Sequence, residues 1–170
     1  MAAIILLVAV ATISYLMLSE PTASEVLFAE YFSPYPSIKP EIRQPVATSE
    51  DPLEAALSAY DRNKSSATMR LFEKVLAEGT ENITAQFFLG NLYLSHKEPE
   101  SAIESFKKVV TAEANEFTTS ANWYLALAYL LNNDLSECRG ILSQLSSASG
   151  FYQNKARELL ERVDSLDKGN

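Results

Sequence analysis

Residues 83–109 of this chain recur, loosely, 36 residues further on. Phe87, Leu89, Tyr93 and Phe106 return as Trp123, Leu125, Tyr129 and Leu142. Small positions stay small in the same register: Gly90 returns as Ala126, and Ala102 as Cys138. A period of this size marks stacked helical hairpins, none of which can bury its apolar face alone, rather than one closed catalytic globule. The expectation is an all-α, open-ended stack that acts as a binding scaffold.

Three hairpins and a closing helix can be read over residues 51–164. Asp51-Pro52 opens the first, with Asp as the cap and Pro at the first helical position. Leu53, Ala56, Leu57 and Tyr60 share one face of that helix, and Ala67, Leu71, Phe72, Val75 and Leu76 form the stripe of its partner. Gly79 suits a left-handed position at the end of the hairpin. The second hairpin pairs a helix from Thr84 to Leu94 with one that starts at Pro99. The third pairs 118–131 with 135–145, and Asn132-Asn133-Asp134 turns between them. In both, a small residue on one helix faces a small one on the other, so the two can approach closely, while Phe106 or Leu142 fills the wider space below. The repeats end near 147. Residues 151–164 predict a capping helix, with Ala156, Leu159, Leu160 and Val163 on its dry face and charges on the other.

Two segments precede the hairpins. Residues 2–18 carry no charge, and 17–19 helical residues span roughly 26–29 Å, about the thickness of a bilayer core. A helix apolar on every side has no face for water. Residues 1–19 therefore predict a single transmembrane helix; a cleaved signal peptide or a buried helix are the alternatives. No lysine follows until Lys39, so the C-terminal domain is expected on the exported side of the membrane. Residues 20–50 hold Pro21, Pro34, Pro36, Pro40 and Pro45, which exclude a long helix and suggest a tether. Glu25 to Phe32 can form one short helix. The aromatics Phe28, Tyr31, Phe32 and Tyr35 are many for a spacer. They suit packing on the first repeat, the lipid interface or a docking peptide.

Composition removes several function classes. A net charge of −8 over 170 residues, with no Lys/Arg cluster, argues against nucleic acid. His96 is the sole histidine and Cys138 the sole cysteine, so no metal set is apparent. Cys138 reads as a small buried filler. No glycine-rich phosphate loop or nucleophile elbow occurs. No catalytic residue and no cofactor is expected.

The pattern Leu89-Gly90, Tyr93, Ala102 and Phe106 resembles the tetratricopeptide repeat. Leu125-Ala126, Tyr129, Cys138 and Leu142 match it with conservative departures, and the first hairpin matches only in its second half, through Ala67 or Thr68, Phe72 and Val75. The layout also resembles membrane-tethered repeat proteins of Bacteroidetes-type bacteria, which implies a single-pass membrane protein with a periplasmic domain in a Gram-negative cell. In this family the first helices of the hairpins line a concave groove that binds a protein or peptide. The matching positions are Phe87, Asn91, Leu94, Trp123, Leu127 and Leu130, with Phe87 and Trp123 as anchors and Asn91 placed to hold a peptide amide or carboxylate. No Arg or Lys stands among them, which argues against the family's carboxylate clamp. The groove is either open to a partner or covered by the chain's own end helix or tether. A structural role, in which the repeats pack on a second copy, is the competing reading.

Overall fold

The structure is a computed structural model and describes residues 20–36, 51–79 and 81–167. Among these there are eight α-helices and no strand. They are α1 (Ala23–Tyr31), α2 (Pro52–Arg62), α3 (Ser66–Ala77), α4 (Ile83–Ser95), α5 (Pro99–Thr111), α6 (Thr118–Leu131), α7 (Leu135–Ser147) and α8 (Gln153–Asp167). From α2 onward each helix packs on the next in the chain, which gives three antiparallel hairpins in a row and a closing helix. That helix runs three residues past the expected end at 164, because Leu166 still packs against the core. The apolar stretch 1–19, expected to span a membrane, lies outside the described residues, as do 37–50. No helix among the described residues is long and apolar enough to cross a membrane.

Local signals start the helices. The Asp51 carboxylate accepts from the Leu53 N–H at 2.9 Å, with Pro52 in the first turn, where its missing donor is not needed. Asn82 caps α4 through Ala85 N–H at 2.9 Å, and Ser65 caps α3 through Thr68 N–H at 3.3 Å. The two outer helices α3 and α5 each bury one stripe and expose the other face. The two inner helices α4 and α6 are apolar all round and bury Phe87, Phe88, Leu89 and Leu92, and Trp123 through Leu130, respectively. A helix of that composition needs cover on every side.

The 36-residue repeat extends to single backbone hydrogen bonds. Glu98 N–H donates to the Tyr93 carbonyl at 2.9 Å, and Asp134 N–H to the Tyr129 carbonyl at 2.9 Å. Ala102 N–H donates to Glu98 at 3.1 Å, and Cys138 N–H to Asp134 at 3.1 Å. Between them Lys97 and Asn133 take left-handed conformations, at φ 58° and 63°. These are matched C-terminal helix caps that satisfy the last free carbonyls of α4 and α6. The first hairpin turns differently: Asn63 is extended, and its carbonyl accepts from the Thr68 hydroxyl at 2.7 Å. Its poorer match to the repeat pattern thus has a backbone counterpart. Asparagine tolerates the left-handed region better than lysine does. Lys97→Gly is therefore expected to raise stability by up to about 1 kcal/mol, read as a higher urea midpoint at unchanged slope.

Of the residues expected at the repeat packing sites, Ala102, Phe106, Ala126, Cys138 and Leu142 are wholly buried, and Tyr129 is nearly so. Tyr93 is half-buried and donates to Glu73 at 3.2 Å. Gly90 also makes room for the Phe106 ring of the facing helix. A Cβ at position 90 would stand 2.8 Å from the Phe106 ring.

Candidate functional site

Residues 20–36, expected to belong to a tether, are bound along the face of the stack formed by α2, α4 and α6. Thr22 and Glu25 form a reciprocal capping box that starts α1, with bonds of 3.2 and 2.8 Å. The helix packs on α6 and α8 at the far end of the molecule, not on the first hairpin. Leu27 and Phe28 are its buried face. At its start the Ser24 hydroxyl donates to Asn133 Oδ1 at 2.8 Å. At its end Glu30 takes both guanidinium nitrogens of Arg162 at 3.0 Å. Pro34 and Pro36 then keep the chain out of helical geometry, and residues 32–36 cross the groove as an extended strap.

The strap is held by its backbone. The Tyr124 hydroxyl of α6 donates to the Ser33 carbonyl at 2.8 Å. The Tyr35 N–H donates to Asn91 Oδ1 of α4 at 3.2 Å, and the Tyr60 hydroxyl of α2 donates to the Tyr35 carbonyl at 2.8 Å. Asn91 is oriented for this by its own amide, which donates to the Phe87 carbonyl at 3.1 Å. Burial pushes the Tyr60 and Tyr124 hydroxyls far above their ordinary value of 10, so both remain donors across the working pH range. The Tyr35 ring enters a nest of aromatics. Its edge contacts are with Phe87 at 4.8 Å, Phe88 at 6.0 Å, Tyr124 at 6.2 Å and Phe117 at 6.3 Å between centroids.

None of the six residues expected to line an open groove faces solvent. Phe87, Asn91, Leu94, Leu127 and Leu130 are 0% exposed and Trp123 is 3%. The strap covers Phe87 and Asn91. Trp123 lies between the two covering elements, with the Tyr31 ring of α1 at 6.4 Å and Tyr152, at the start of α8, stacked on it at 5.2 Å. Asn91 does hold a peptide amide, that of the chain's own Tyr35. Sequence reasoning did not single out Tyr60, Phe117 or Tyr124 as part of this site. A signal was present: Trp123-Tyr124-Leu125-Ala126-Leu127-Ala128-Tyr129-Leu130 leaves α6 no polar face to turn toward an open groove.

Among the described residues a cleft of about 490 Å³ lies beside the strap, between Ser33–Pro36, α6 and the start of α8. Trp123, Tyr152, Phe151, Ser120 and Lys155 line it. Phe151 is 79% exposed, with the Lys155 ammonium 5.6 Å from its ring.

The remaining reactive side chains have structural surroundings. His96 meets the Lys64 carbonyl through Nε2 at 2.9 Å, joining the first two hairpin turns. Burial pushes the Cys138 thiol up to about 12, and a thiol so rarely ionised is a poor nucleophile. No group of three or more His, Cys, Asp or Glu side chains among the described residues is placed to hold a metal ion. Comparison with family models, curated proteins and solved structures finds no match.

Two carboxylates secure α1, and both are lowered from the ordinary value of 4.5: Glu25 by the Thr22 backbone N–H, and Glu30 by the Arg162 guanidinium. A lowered folded-state value means that the contribution is complete above 4.5 and fades as pH falls below it. Both groups are at the surface, so the effect is small. Proteolysis within α1 is expected to quicken modestly on acidification through this range. Glu30→Gln should cleave faster at neutral pH and respond less to acid.

Proposed function

We propose that this chain is a membrane-anchored scaffold of the tetratricopeptide-repeat kind, which mediates contact with a partner protein or peptide. In this reading residues 1–19 hold it in the bilayer, the helical domain lies on the exported, periplasmic side, and no catalytic residue or cofactor is involved. The observation that carries the reading is the strap. Side chains from three helices grip the backbone of Ser33–Tyr35, which is how a groove of this type would hold an extended peptide. The groove is thus chemically suited to a peptide, and its main stretch is occupied by the chain itself.

In this reading the partner meets the cleft at Phe151, beside the strap. Its aromatic walls, hydroxyls and single ammonium suit an extended apolar segment with few charges. Cross-linking pull-down from solubilised membranes tests this. Wild type is expected to recover a partner that Phe151→Ala recovers several-fold less, with both proteins equally helical by circular dichroism. Equal recovery would rule out the cleft. Phe87 and Trp123 are unsuitable for this test because both are core residues.

Self-association has less support. Among the described residues the exposed large apolar side chains are Val26, Leu71 and Phe151, on α1, α3 and the α7–α8 connection. Scattered single residues of this kind are normal on a monomer. Sedimentation of the detergent-solubilised chain is expected to give one copy at every concentration; a dimer would favour the structural reading.

A further inference from the structure

The docked strap changes what the N-terminal segment can do. A tether running from 20 to 50 would let the helical domain wander far from an anchor. Instead the chain is docked on the repeats from the Thr22 cap of α1 onward. Only Ser19, Glu20 and Pro21 separate this cap from Leu18, the last residue of the charge-free stretch. Three or four residues reach at most about 10–14 Å even when fully extended.

The exit point on the body is also defined. The start of α1 is tied to Asn133 by Ser24, and the Lys97 charge acts on Glu25. Lys97 and Asn133 are the equivalent cap residues of the second and third hairpin turns. The first turn lies beside them, since His96 meets the Lys64 carbonyl. All three within-hairpin turns therefore share one edge of the stack, and the chain toward residue 1 leaves from that edge. The connections at 78–82, 112–117 and 148–152 lie on the opposite edge, one helix length away. With 13 residues in α4, that separation is about 20 Å.

We propose that the edge formed by the turns at Asn63–Ser65, His96–Glu98 and Asn132–Asp134 is a membrane-facing surface, held against the lipid headgroups by the short leash. This rests on the reading of residues 1–19 as a bilayer anchor. Arg62, Lys64 and Lys97 on this edge are outnumbered by Asp61, Glu98, Asp134 and, at the start of α1, Glu20 and Glu25. The leash rather than charge sets the orientation, so zwitterionic lipid suffices. One consequence is that the connections at 112–117 and 148–152, with Phe151 beside the latter, point away from the bilayer toward partners.

The test uses the full chain reconstituted in phosphatidylcholine vesicles. Single cysteines carrying a fluorophore replace Asn63 or Glu98 on the proximal edge, and Glu78 or Glu113 on the distal edge. All four positions are exposed, while the native Cys138 is buried and escapes labelling. Headgroup-attached quenchers are expected to quench positions 63 and 98 several-fold more than 78 and 113. A 15-residue Gly/Ser insertion after Glu20 should abolish the difference. Protein that floats with the vesicles yet is quenched equally at both edges overturns the orientation and leaves the anchor standing. Protein that does not float overturns the anchor, and the orientation with it.

Discussion

Tyr35→Ala is expected to lower stability by about 3 kcal/mol, the low end for a buried aromatic because one side of this ring borders the cleft. At roughly 2–4 °C per kcal/mol for a chain of this size, the thermal midpoint falls by about 6–12 °C. The ring is the only part of the strap in edge contact with residues of four neighbours at once: Phe87, Phe88, Phe117 and Tyr124. Removing it leaves the three backbone bonds without the packing that excludes water from them. The strap should then open before the hairpins do, as a local unit with its own lower free energy. Hydrogen exchange at the Tyr35 amide and proteolysis between 32 and 36 report this directly, and both should rise far more than exchange within α4 or α6. Tyr35→Phe keeps the ring and its four aromatic contacts and should change stability by less than about 0.5 kcal/mol. An unchanged midpoint in the alanine variant would mean that the strap lies on the repeats without contributing to them.

The hairpins were legible in the sequence because their signals are local. Asp51-Pro52, Pro99 and Gly79 act within a turn of the chain, and small and large residues alternate at fixed offsets. The strap was harder to read, because what holds it is distant in sequence: Ser24 with Asn133, Ser33 with Tyr124, Tyr35 with Asn91, Glu30 with Arg162. Proline density marked 20–50 as non-helical, and the four aromatics marked it as more than a spacer. Neither says which surface it meets. The composition of α6 carried the missing half. An inner helix with no polar face predicts a cover, and the only unassigned aromatic segment long enough to supply one was 23–36. Asn91 was expected to hold a peptide amide or carboxylate in a groove either open or covered by the chain itself; in the structure it accepts from the chain's own Tyr35 N–H. A buried asparagine needs a donor and an acceptor, but sequence does not say from which chain they come.

Gly90→Ala should destabilise the protein by about 1–2 kcal/mol, although alanine is the better helix former by roughly 1 kcal/mol. The added methyl would lie 2.8 Å from Phe106 Cζ and 2.9 Å from Cε1. The ring has little room to move, being wholly buried and held by Tyr124, stacked at 5.8 Å, and Phe87 at 6.0 Å. The third hairpin shows how the clash can be avoided: Ala126 there stands with Leu142, a shorter side chain. Phe106→Leu alone loses stacking and leaves a void, at a cost of about 1 kcal/mol or more. The pair Gly90→Ala with Phe106→Leu copies the third hairpin into the second. It should be more stable than the sum of the single changes by about 1 kcal/mol, measured as a double-mutant cycle from urea midpoints. The converse cycle applies the same rule to the third hairpin: Leu142→Phe should be tolerated better with Ala126→Gly than without it. Additive effects in both hairpins would mean that positions 90 and 106, and 126 and 142, vary independently. The small-to-large order across the repeat would then have no packing cause.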